Sequence, residues 1–367
     1  MKYVVLVGDG MADYPIEALD SKTPLEAAHT PNIDFISAKG NKGIVRTIPR
    51  GMYPGSDVAN LSILGYDPRR YYTGRGPLEA ASMGVFLDED DVAFRCNLVT
   101  VKKDRIADYS AGHISTEDGS ALIKLIDGKL GGKGISFHPG ISYRHLLVLK
   151  DCEKVKCVPP HDIVGQLIEN NLPSGDCSEL LKKLMQDSRS LLGEYMIWPW
   201  GHGKAPKMPS FEDKYGLSGS VVSAVDLIKG IGICAGLQTI NVPGATGYLD
   251  TNYRGKADYA LRSLENKDFI FVHVEAPDEA GHGGDIDAKI KAIEDFDEKV
   301  VGIMLDGLNR YEEYKILVLS DHPTPISLKT HTSDPVEFFM LSTGETTHVG
   351  FIDEGHRLMD LFIKGCY

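Results

Sequence analysis

Short apolar runs alternate along this chain with longer stretches of helical periodicity. Apolar and β-branched residues dominate 3–7, 269–275 and 314–319, which is typical of strands buried on both faces of a parallel sheet. Apolar residues at helical spacing predict helices over the following segments: 31–36, 56–64, 221–228, 254–264 and 286–304. Strands alternating with helices in this way predict the α/β class.

The middle of the chain has a different pattern. Between about 110 and 200, short helical patterns at 121–126, 163–168 and 180–184 alternate with short strands such as Leu146–Leu149. We therefore expect a core domain formed by 1–109 and 201–367, with a smaller α+β domain inserted over 110–200. The glycine-punctuated aromatic segment Trp198–Lys204 is interpreted as the connector that returns to the core.

Composition excludes several classes of partner. The 367 residues carry a formal net charge of −13, which argues against nucleic acid or an anionic membrane as the main partner. A small anionic substrate remains possible where metal ions or arginines reverse the local field. Apolar runs fall short of the roughly 20 residues that span a membrane, and the run at 1–7 is too short for a signal peptide. Six cysteines without a C-x-x-C pair predict thiols in a reducing compartment, here the cytoplasm.

Polar side chains follow three of the predicted strands. Asp9, Asp278 and Asp321 each come directly or shortly after an apolar run. His282 follows Asp278 at i+4, so one helical turn would place both on the same face. Because the carboxyl ends of parallel strands lie along one edge of a sheet, these groups can converge. His322, His331 and Ser56 complete the candidate set.

Each of these residues also has an ordinary structural role. Asp9 suits a turn, Ser56 suits a helix N-cap, and an Asp-His pair such as 321–322 is common at loop ends. Their joint occurrence after strands favours two metal sites with mixed oxygen and nitrogen donors. Mn²⁺ is the ion we expect, and Zn²⁺ or Mg²⁺ also suit these donors. Ions about 3.5–4 Å apart are typical of phosphoryl-transfer enzymes.

Candidate anion-binding residues lie mainly in the predicted insertion. They stand next to apolar runs and include His113, Arg144, His145, His161 and Asp162. Arg75 lies in a glycine-rich loop predicted over 71–79, and Lys204 ends the aromatic connector. Taken singly, each of these residues could equally be structural or simply solvated.

Several motifs together resemble the cofactor-independent phosphoglycerate mutases of the archaeal type, which belong to the alkaline phosphatase superfamily. The motifs are Gly8-Asp9-Gly10, Gly55-Ser56-Asp57 with Ala59 to Asp67, Tyr72 to Pro77, Asp278 to His282, and Asp321-His322 through His331. The resemblance covers nearly the whole chain and implies an alkaline-phosphatase-like central sheet flanked by helices. The Tyr143-Arg144-His145, 159–162 and 198–201 segments are most similar to a bacterial branch also proposed to act as a homoserine kinase.

The resemblance implies a role for each matching residue. One metal would be held by Asp278, His282 and His331. A second would be held by Asp9, Asp321 and His322, with Ser56 as its bridging ligand and as the nucleophile. His113 resembles an insertion-domain histidine that contacts the transferring phosphate, while Arg75, Arg144, His161, Asp162 and Lys204 are further candidate substrate contacts. The segment 192–195 is shorter here than in the family pattern, where an Asn and an Arg precede the aromatic segment.

The function implied is interconversion of 2- and 3-phosphoglycerate through a phosphoserine, with the inserted domain as a lid that excludes water. A homoserine kinase-like phosphotransferase is one alternative, although the sequence has no Walker-type loop for ATP. A metal-dependent phosphatase of small phosphorylated acids and a non-enzymatic metal-stabilised binding protein are the others. In each enzymatic reading the partner is a small phosphorylated carboxylic acid or alcohol, and the oligomeric state stays open.

Overall fold

The computed structural model describes residues 1–344 and 350–366. The chain forms two compact units, which we call the first unit (Met1–Tyr72 with Met208–Tyr367) and the second unit (Thr73–Lys207). The second unit is therefore an insertion between two halves of the first. None of the helices in the described part of the chain is long and apolar enough to cross a membrane.

The strands of the described residues number fifteen: β1 Lys2–Gly8, β2 Asn41–Val45, β3 Asp91–Lys102, β4 Arg105–Asp108, β5 Ile135–His138, β6 Arg144–Lys150, β7 Val155–Lys156, β8 Ser174–Gly175, β9 Tyr195–Gly203, β10 Gly219–Val222, β11 Gln238–Ile240, β12 Phe269–Val274, β13 Tyr314–Ser320, β14 Val336–Ser342 and β15 Phe351–Ile352. The α-helices of the same residues are α1 Pro24–Ala27, α2 Pro31–Lys39, α3 Ser56–Ile63, α4 Pro68–Tyr71, α5 Arg75–Ser82, α6 Thr116–Leu130, α7 Ser178–Leu192, α8 Phe211–Tyr215, α9 Asp226–Cys234, α10 Tyr253–Ser263, α11 Ala276–Gly283, α12 Ile286–Phe296, α13 Ile303–Leu308 and α14 Arg357–Lys364.

An eight-stranded sheet in the order β11-β10-β12-β1-β13-β14-β2-β15 organises the first unit. The five strands from β11 to β13 are parallel, and β14 runs antiparallel to both of its neighbours. Gly8 at the end of β1 is level with Val274 of β12 and Ser320 of β13. This register brings the carboxyl ends of three strands to one edge, where the predicted polar residues follow.

Apolar residues cover the sheet on both faces. Val4 and Leu6 of β1 pack in one cluster with residues of α2, α10, α12 and α13, all fully or nearly fully buried. Val5 and Val7 of β1, which alternate with Val4 and Leu6 and therefore point to the opposite face of the sheet, are equally buried. In the same unit, α3 packs against α9 and α14. Burying one such aliphatic side chain contributes about 1.5–3 kcal/mol relative to exposure. The predicted α/β class, with a central sheet flanked by helices, is confirmed.

An antiparallel sheet organises the second unit. Its order is β4-β3-β6-β5, and β9 pairs with β3 along the other side of that strand. Apolar residues of α6 and α7 pack on it. Since β3 hydrogen-bonds to both β6 and β9, residues 91–102 belong to this unit although they precede 110. The predicted boundaries at 110 and 200 therefore lie inside the compact unit.

Four local predictions differ from the structure. Trp198–Lys204, interpreted as a connector, is mostly strand β9, which tolerates Pro199 because it pairs only with β3 among the described strands. The predicted helix over 163–168 does not form, and short 3-10 turns at Pro160–Ile163 and Ile168–Asn171 lie on either side of it. The segment 221–228 is split between β10 and α9, since its valines extend the parallel sheet. The glycine-rich loop predicted over 71–79 contains helix α5, which begins at Arg75.

The cysteines also differ from the expectation of six thiols. Cys152 and Cys177, both in the second unit, form a disulfide with their Cα atoms 5.7 Å apart, within the usual range for such a bond. Cys96, Cys157, Cys234 and Cys366 are free.

Candidate metal centre

The turn after β1 places the first carboxylate. Asp9 is buried, and Gly10 adopts φ +59°, a conformation that favours glycine. A Cβ atom on Gly10 would lie 2.5 Å from Oδ1 of Asp278 and from Oγ1 of Thr324. The backbone at Gly10 is thus packed directly against α11 and the loop after β13, and a side chain there would separate them.

The end of β13 supplies a fully buried pair, Asp321 and His322. Oδ1 of Asp321 accepts hydrogen bonds from the backbone N–H groups of Gly10 (3.0 Å) and His322 (2.9 Å). Nε2 of His322 lies 3.5 Å from Oδ1 of Asp9 and 3.6 Å from Oδ2 of Asp321. These separations are longer than ordinary hydrogen bonds, so the three groups face one another without a direct strong bond.

Ser56 is the first residue of α3, and Gly55 occupies the N-cap position. The N-cap role considered for Ser56 is therefore not the one that it has. Its Oγ lies 3.1 Å from Nε2 of His322. Asn60, one turn later and fully buried, donates to the Ser56 carbonyl (2.8 Å) and to Oδ2 of Asp321 (2.9 Å). The helix thereby fixes the serine hydroxyl beside the carboxylates at the sheet edge.

The third carboxylate lies on α11, where Asp278 and His282 share one face. Nε2 of His282 is 3.3 Å from Oδ2 of Asp278, and Nε2 of His331 is 3.4 Å from Oδ1 of the same carboxylate. The two imidazole nitrogens are 2.9 Å apart. Nδ1 of His282 donates to the carbonyl of Lys329 (3.0 Å), which leaves Nε2 directed at Asp278 and His331.

His273, which the sequence analysis did not single out, lies in the same cluster. It is fully buried on β12, and its Nε2 is 3.4 Å from Oδ2 of Asp9 and 3.9 Å from Oδ2 of Asp321. Its Nδ1 faces Oε1 of Glu275 at 3.1 Å. Lys256, also fully buried, donates to the other oxygen of Glu275 at 2.7 Å.

The protonation equilibria of these groups indicate a site that favours positive charge. Burial and the carboxylates of Asp321 and Asp278 raise the pKa of Asp9 well above its ordinary value. The hydrogen bond with Asp278 raises the pKa of His282 to about 9. Burial alone would lower the pKa of His273, but the carboxylates of Asp321 and Glu275 outweigh it and raise the pKa to about 9.

The donor set fits divalent metal ions. Ligand atoms of Asp278, His322 and His331 lie within 4.8 Å of one another, and so do those of Asp9, His273 and Asp321. Oδ1 of Asp9 and Nε2 of His273 are buried without a hydrogen-bond partner. Buried polar atoms without partners are costly, and a cation among them would satisfy both. Carboxylate oxygens with imidazole nitrogens suit Mn²⁺ and Zn²⁺.

The seven residues predicted for metal binding and nucleophilic attack all lie in the first unit, and the structure brings them together. The six predicted substrate contacts all lie in the second unit. Within that unit, rings connect several of them. His113 approaches Tyr143 with ring centroids 6.2 Å apart, and the guanidinium of Arg144 lies over the same tyrosine.

His161 packs edge-on against Trp200 with ring centroids 5.3 Å apart. The guanidinium of Arg75 lies over the same indole, and so does that of Arg95, which the sequence analysis missed. Arg95 is buried and pairs with Glu79 at 2.8 Å. Its only sequence signal is a charged residue inside the apolar run of β3.

The two remaining predicted contacts are less integrated into this cluster. Asp162 is exposed, and one of its carboxylate oxygens lies 3.7 Å from Nε2 of His161. Lys204 pairs with Glu153 at 3.5 Å. His145, also considered as an anion binder, is buried, and burial lowers its pKa to about 3. A neutral buried imidazole of this kind is a structural residue.

Comparison with known proteins gives one consistent family. A family model described as 2,3-bisphosphoglycerate-independent phosphoglycerate mutase matches residues 37–197. A protein of Methanosarcina barkeri with that name is 55% identical over 94% of this chain and 92% of its own length.

Solved structures agree with that similarity. A protein of Pyrococcus horikoshii superposes with a TM-score of 0.84 at 28% identity, covering 99% of this chain and 96% of its own. The cofactor-independent phosphoglycerate mutase of Thermoplasma acidophilum superposes with a TM-score of 0.66 at 25% identity, covering 99% of both chains.

Proposed function

The chain belongs to the family of 2,3-bisphosphoglycerate-independent phosphoglycerate mutases, and from this premise we propose that it interconverts 2- and 3-phosphoglycerate through a phosphoserine at Ser56. The observation that carries the proposal is the position of the Ser56 hydroxyl. Ser56 is the first residue of helix α3, and its Oγ lies 3.1 Å from Nε2 of His322, beside buried carboxylates. A helix N-terminus stabilises negative charge on a phosphoryl group.

The reaction consists of two phosphoryl transfers. Oγ of Ser56 attacks the phosphorus in line, the bond to the glycerate oxygen breaks, and the serine proton ends on that oxygen. Glycerate then reorients and accepts the phosphoryl group on its other hydroxyl, which regenerates the Ser56 hydroxyl. Asn60 holds the backbone of Ser56 in place throughout, since it bonds both to that carbonyl and to Asp321.

Two divalent cations are part of this proposal. Asp278, His282 and His331 would hold one, and Asp9, Asp321, His322 and Ser56 would hold the other. When bound, they lower the pKa of the attacking hydroxyl and neutralise charge on the phosphoryl oxygens. We propose Mn²⁺ for both, with Zn²⁺ or Mg²⁺ as ions that the same donors accept.

Recognition of the substrate's anionic groups is assigned to the second unit. His113 and Arg144 contact Tyr143, while His161 and Arg75 contact Trp200. The ring of Tyr109 connects the two groups, since it packs against both Tyr143 and His161. Asp162 and Lys204 stay candidate contacts. The substrate would be a small phosphorylated carboxylic acid. Water must be kept from the phosphoserine, because hydrolysis would make the same machinery a phosphatase. Location in the cytoplasm is part of the proposal and rests on the function alone.

A coupled assay with 3-phosphoglycerate and Mn²⁺, which measures 2-phosphoglycerate and free phosphate together, tests the function. We expect 2-phosphoglycerate with little free phosphate. Ser56→Ala should abolish turnover and leave the metal content near that of the wild type. Ser62→Ala is the matched control, because Ser62 lies buried on the same helix and its Oγ makes no hydrogen bond. Full turnover by Ser56→Ala would contradict the mechanism.

The same assay separates the alternatives. Release of phosphate in place of 2-phosphoglycerate would identify a phosphatase. Consumption of ATP with homoserine, and no mutase activity, would identify a kinase-like phosphotransferase. The named relatives do not favour either alternative.

A further inference from the structure

We propose that His273 is an additional ligand of the cation held by Asp9 and Asp321, and that Glu275 holds its ring in the ligand orientation. The inference rests on the metal-dependent function proposed above. It adds one ligand, His273, that is not among the residues implied by the family resemblance. It concerns the first unit alone.

The distances around Nε2 of His273 favour a shared cation over a direct hydrogen bond. Two ligand atoms each about 2.1 Å from one ion, at angles of roughly 90–110°, are separated by about 3.0–3.4 Å. Nε2 of His273 is 3.4 Å from Oδ2 of Asp9, and Nε2 of His322 is 3.5 Å from Oδ1 of the same carboxylate. Asp9 therefore presents one oxygen to each imidazole at the spacing of ligands around an ion.

Nδ1 of His273 has a partner, but Nε2 is buried without a hydrogen bond. Nε2 of the structural His145 also lacks a hydrogen bond, and the nitrogen of His273 differs because it faces two carboxylates, those of Asp9 and Asp321. Leaving such an atom unsatisfied costs about 1–3 kcal/mol. The unpaired Oδ1 of Asp9 lies in the same cluster, so a cation at this point removes both deficits.

The other side of the ring has the arrangement typical of metal-bound histidines, which donate their second N–H to a carboxylate or carbonyl. Nδ1 of His273 faces Glu275, which in turn accepts hydrogen bonds from Lys256 (2.7 Å) and Ser223 (2.8 Å). These three contacts fix the Glu275 carboxylate in place, so that it orients the His273 ring.

Two predicted ligands of the same cluster are anchored in the same way. Nδ1 of His282 contacts the Lys329 carbonyl and Nδ1 of His322 lies 3.3 Å from Oγ1 of Thr324. In all three histidines Nε2 is the atom directed at the carboxylates. His273 therefore shares the orientation of the residues whose ligand role the family pattern implies.

Metal titration of the whole protein tests the assignment, with His273→Asn as the main variant. Asparagine keeps a polar group near the Nδ1 position, facing Glu275, and removes the donor at Nε2. We expect the affinity for one of two ions to fall at least about tenfold, as it does when metal-site support is lost, while the other ion binds as in the wild type. His29→Asn, a histidine outside the cluster in the same unit, is the control and should bind both ions normally.

A spectroscopic readout covers the case in which His273→Asn does not fold. In the Co²⁺-loaded wild type with ¹⁵N-labelled histidine, the Nδ1–H proton of His273 should give a hyperfine-shifted signal that exchanges slowly, because it is buried against Glu275. Glu275→Gln should shift or broaden that signal. A His273 ring without a hyperfine shift, or a His273→Asn variant that binds both ions with wild-type affinity, would overturn the assignment.

These outcomes are distinct from failure of the proposed function. A wild type that produces 2-phosphoglycerate, with turnover lost in Ser56→Ala, retains the mutase proposal even if His273 proves not to be a ligand. Wild-type protein that binds no ion stoichiometrically would overturn both the metal part of that proposal and the ligand assignment.

Discussion

At the residue scale, the positions of the candidate ligands and of Ser56 depend on two residues, Gly10 and Asn60. Gly10 brings the backbone against Asp278 and Thr324, and its N–H binds Asp321. Asn60 connects the backbone of Ser56 to the same aspartate. Neither residue carries chemistry of its own, yet each fixes the distance between groups that do.

Gly10→Ala should lower both stability and turnover. The added Cβ meets φ +59° and two atoms at 2.5 Å, so α11 and the loop after β13 must move apart. Gly216→Ala is the matched control, since Gly216 has φ +68° but open space around it. Both variants should lose about 1–2 kcal/mol from the left-handed backbone, measured by urea unfolding. Only Gly10→Ala should also lose most of the 2-phosphoglycerate formation, and equal turnover in the two variants would contradict the packing argument.

Most of the residues predicted for chemistry are recognisable because each follows a strand or begins a helix. His273 escapes this rule because it lies inside a strand, where FVHV reads as one buried run. A histidine and a glutamate two residues apart at the end of an otherwise apolar run are the signal that could have revealed it. Arg95 was missed for the same reason within β3.

At the element scale, the register of three parallel strands determines the site. β1, β12 and β13 end level with one another, so Asp9 and Asp321 leave the sheet side by side. The loop that follows β13 then returns His331 to Asp278 on α11. Lys289 of α12 anchors that loop. It is fully buried and donates hydrogen bonds to Asp13 (2.7 Å) and to the Thr324 carbonyl (2.8 Å).

Lys289→Met should destabilise the protein by about 3–5 kcal/mol, the usual cost of leaving one member of a buried ion pair without its partner. The loop that carries His331 should also loosen, so binding of one metal ion should weaken. Lys42→Met provides the comparison, because Lys42 pairs with Glu337 at 2.7 Å with both side chains exposed, and such surface pairs contribute at most about 1 kcal/mol. Calorimetric unfolding and metal titration measure both effects. Similar losses in the two variants would show that the buried pair has no special role.

The elements that sequence periodicity predicts well are those buried on both faces or strongly amphipathic, such as β1, β12, β13 and α10. Sequence periodicity predicts less well the segments whose structure is determined by pairing with a distant strand. The segment Trp198–Lys204 contains a proline and four polar or glycine positions, and most of it becomes a strand because it pairs with β3. The valines of β10 were absorbed into a predicted helix because a four-residue strand is too short for its period to be distinguished.

At the scale of the whole molecule, the residues proposed for chemistry and those proposed for anion recognition belong to different units. The proposed nucleophile and the candidate metal ligands lie in the first unit, while the arginines and histidines supported by aromatic rings lie in the second. The alternation of short helical patterns with short strands indicated the insertion. Its first strand, β3, was missed because it is one long apolar run, and such runs also form the strands of the first unit.

Removal of metal should therefore affect the two units unequally. Without cations, the buried carboxylates of Asp9, Asp278 and Asp321 face one another, as the raised pKa of Asp9 indicates. Treatment with a chelator should lower the Tm, and saturating Mn²⁺ should restore about 3 kcal/mol at a hundredfold excess over Kd. Hydrogen exchange should locate the change at the carboxyl ends of β1, β12 and β13. Equal loss of protection in β3 and β6 would argue against a metal centre confined to the first unit.

The central claim is that the phosphoryl group passes through Ser56 without reaching water. The most direct measurement is acid quenching of the Mn²⁺-loaded enzyme during turnover of [³²P]3-phosphoglycerate, followed by peptide mapping. We predict label on the peptide that contains Ser56, and recovery of the same label in 2-phosphoglycerate when the quench is delayed. Formation of labelled 2-phosphoglycerate with no label on Ser56 at any time, or appearance of the label only as free phosphate, would contradict the claim.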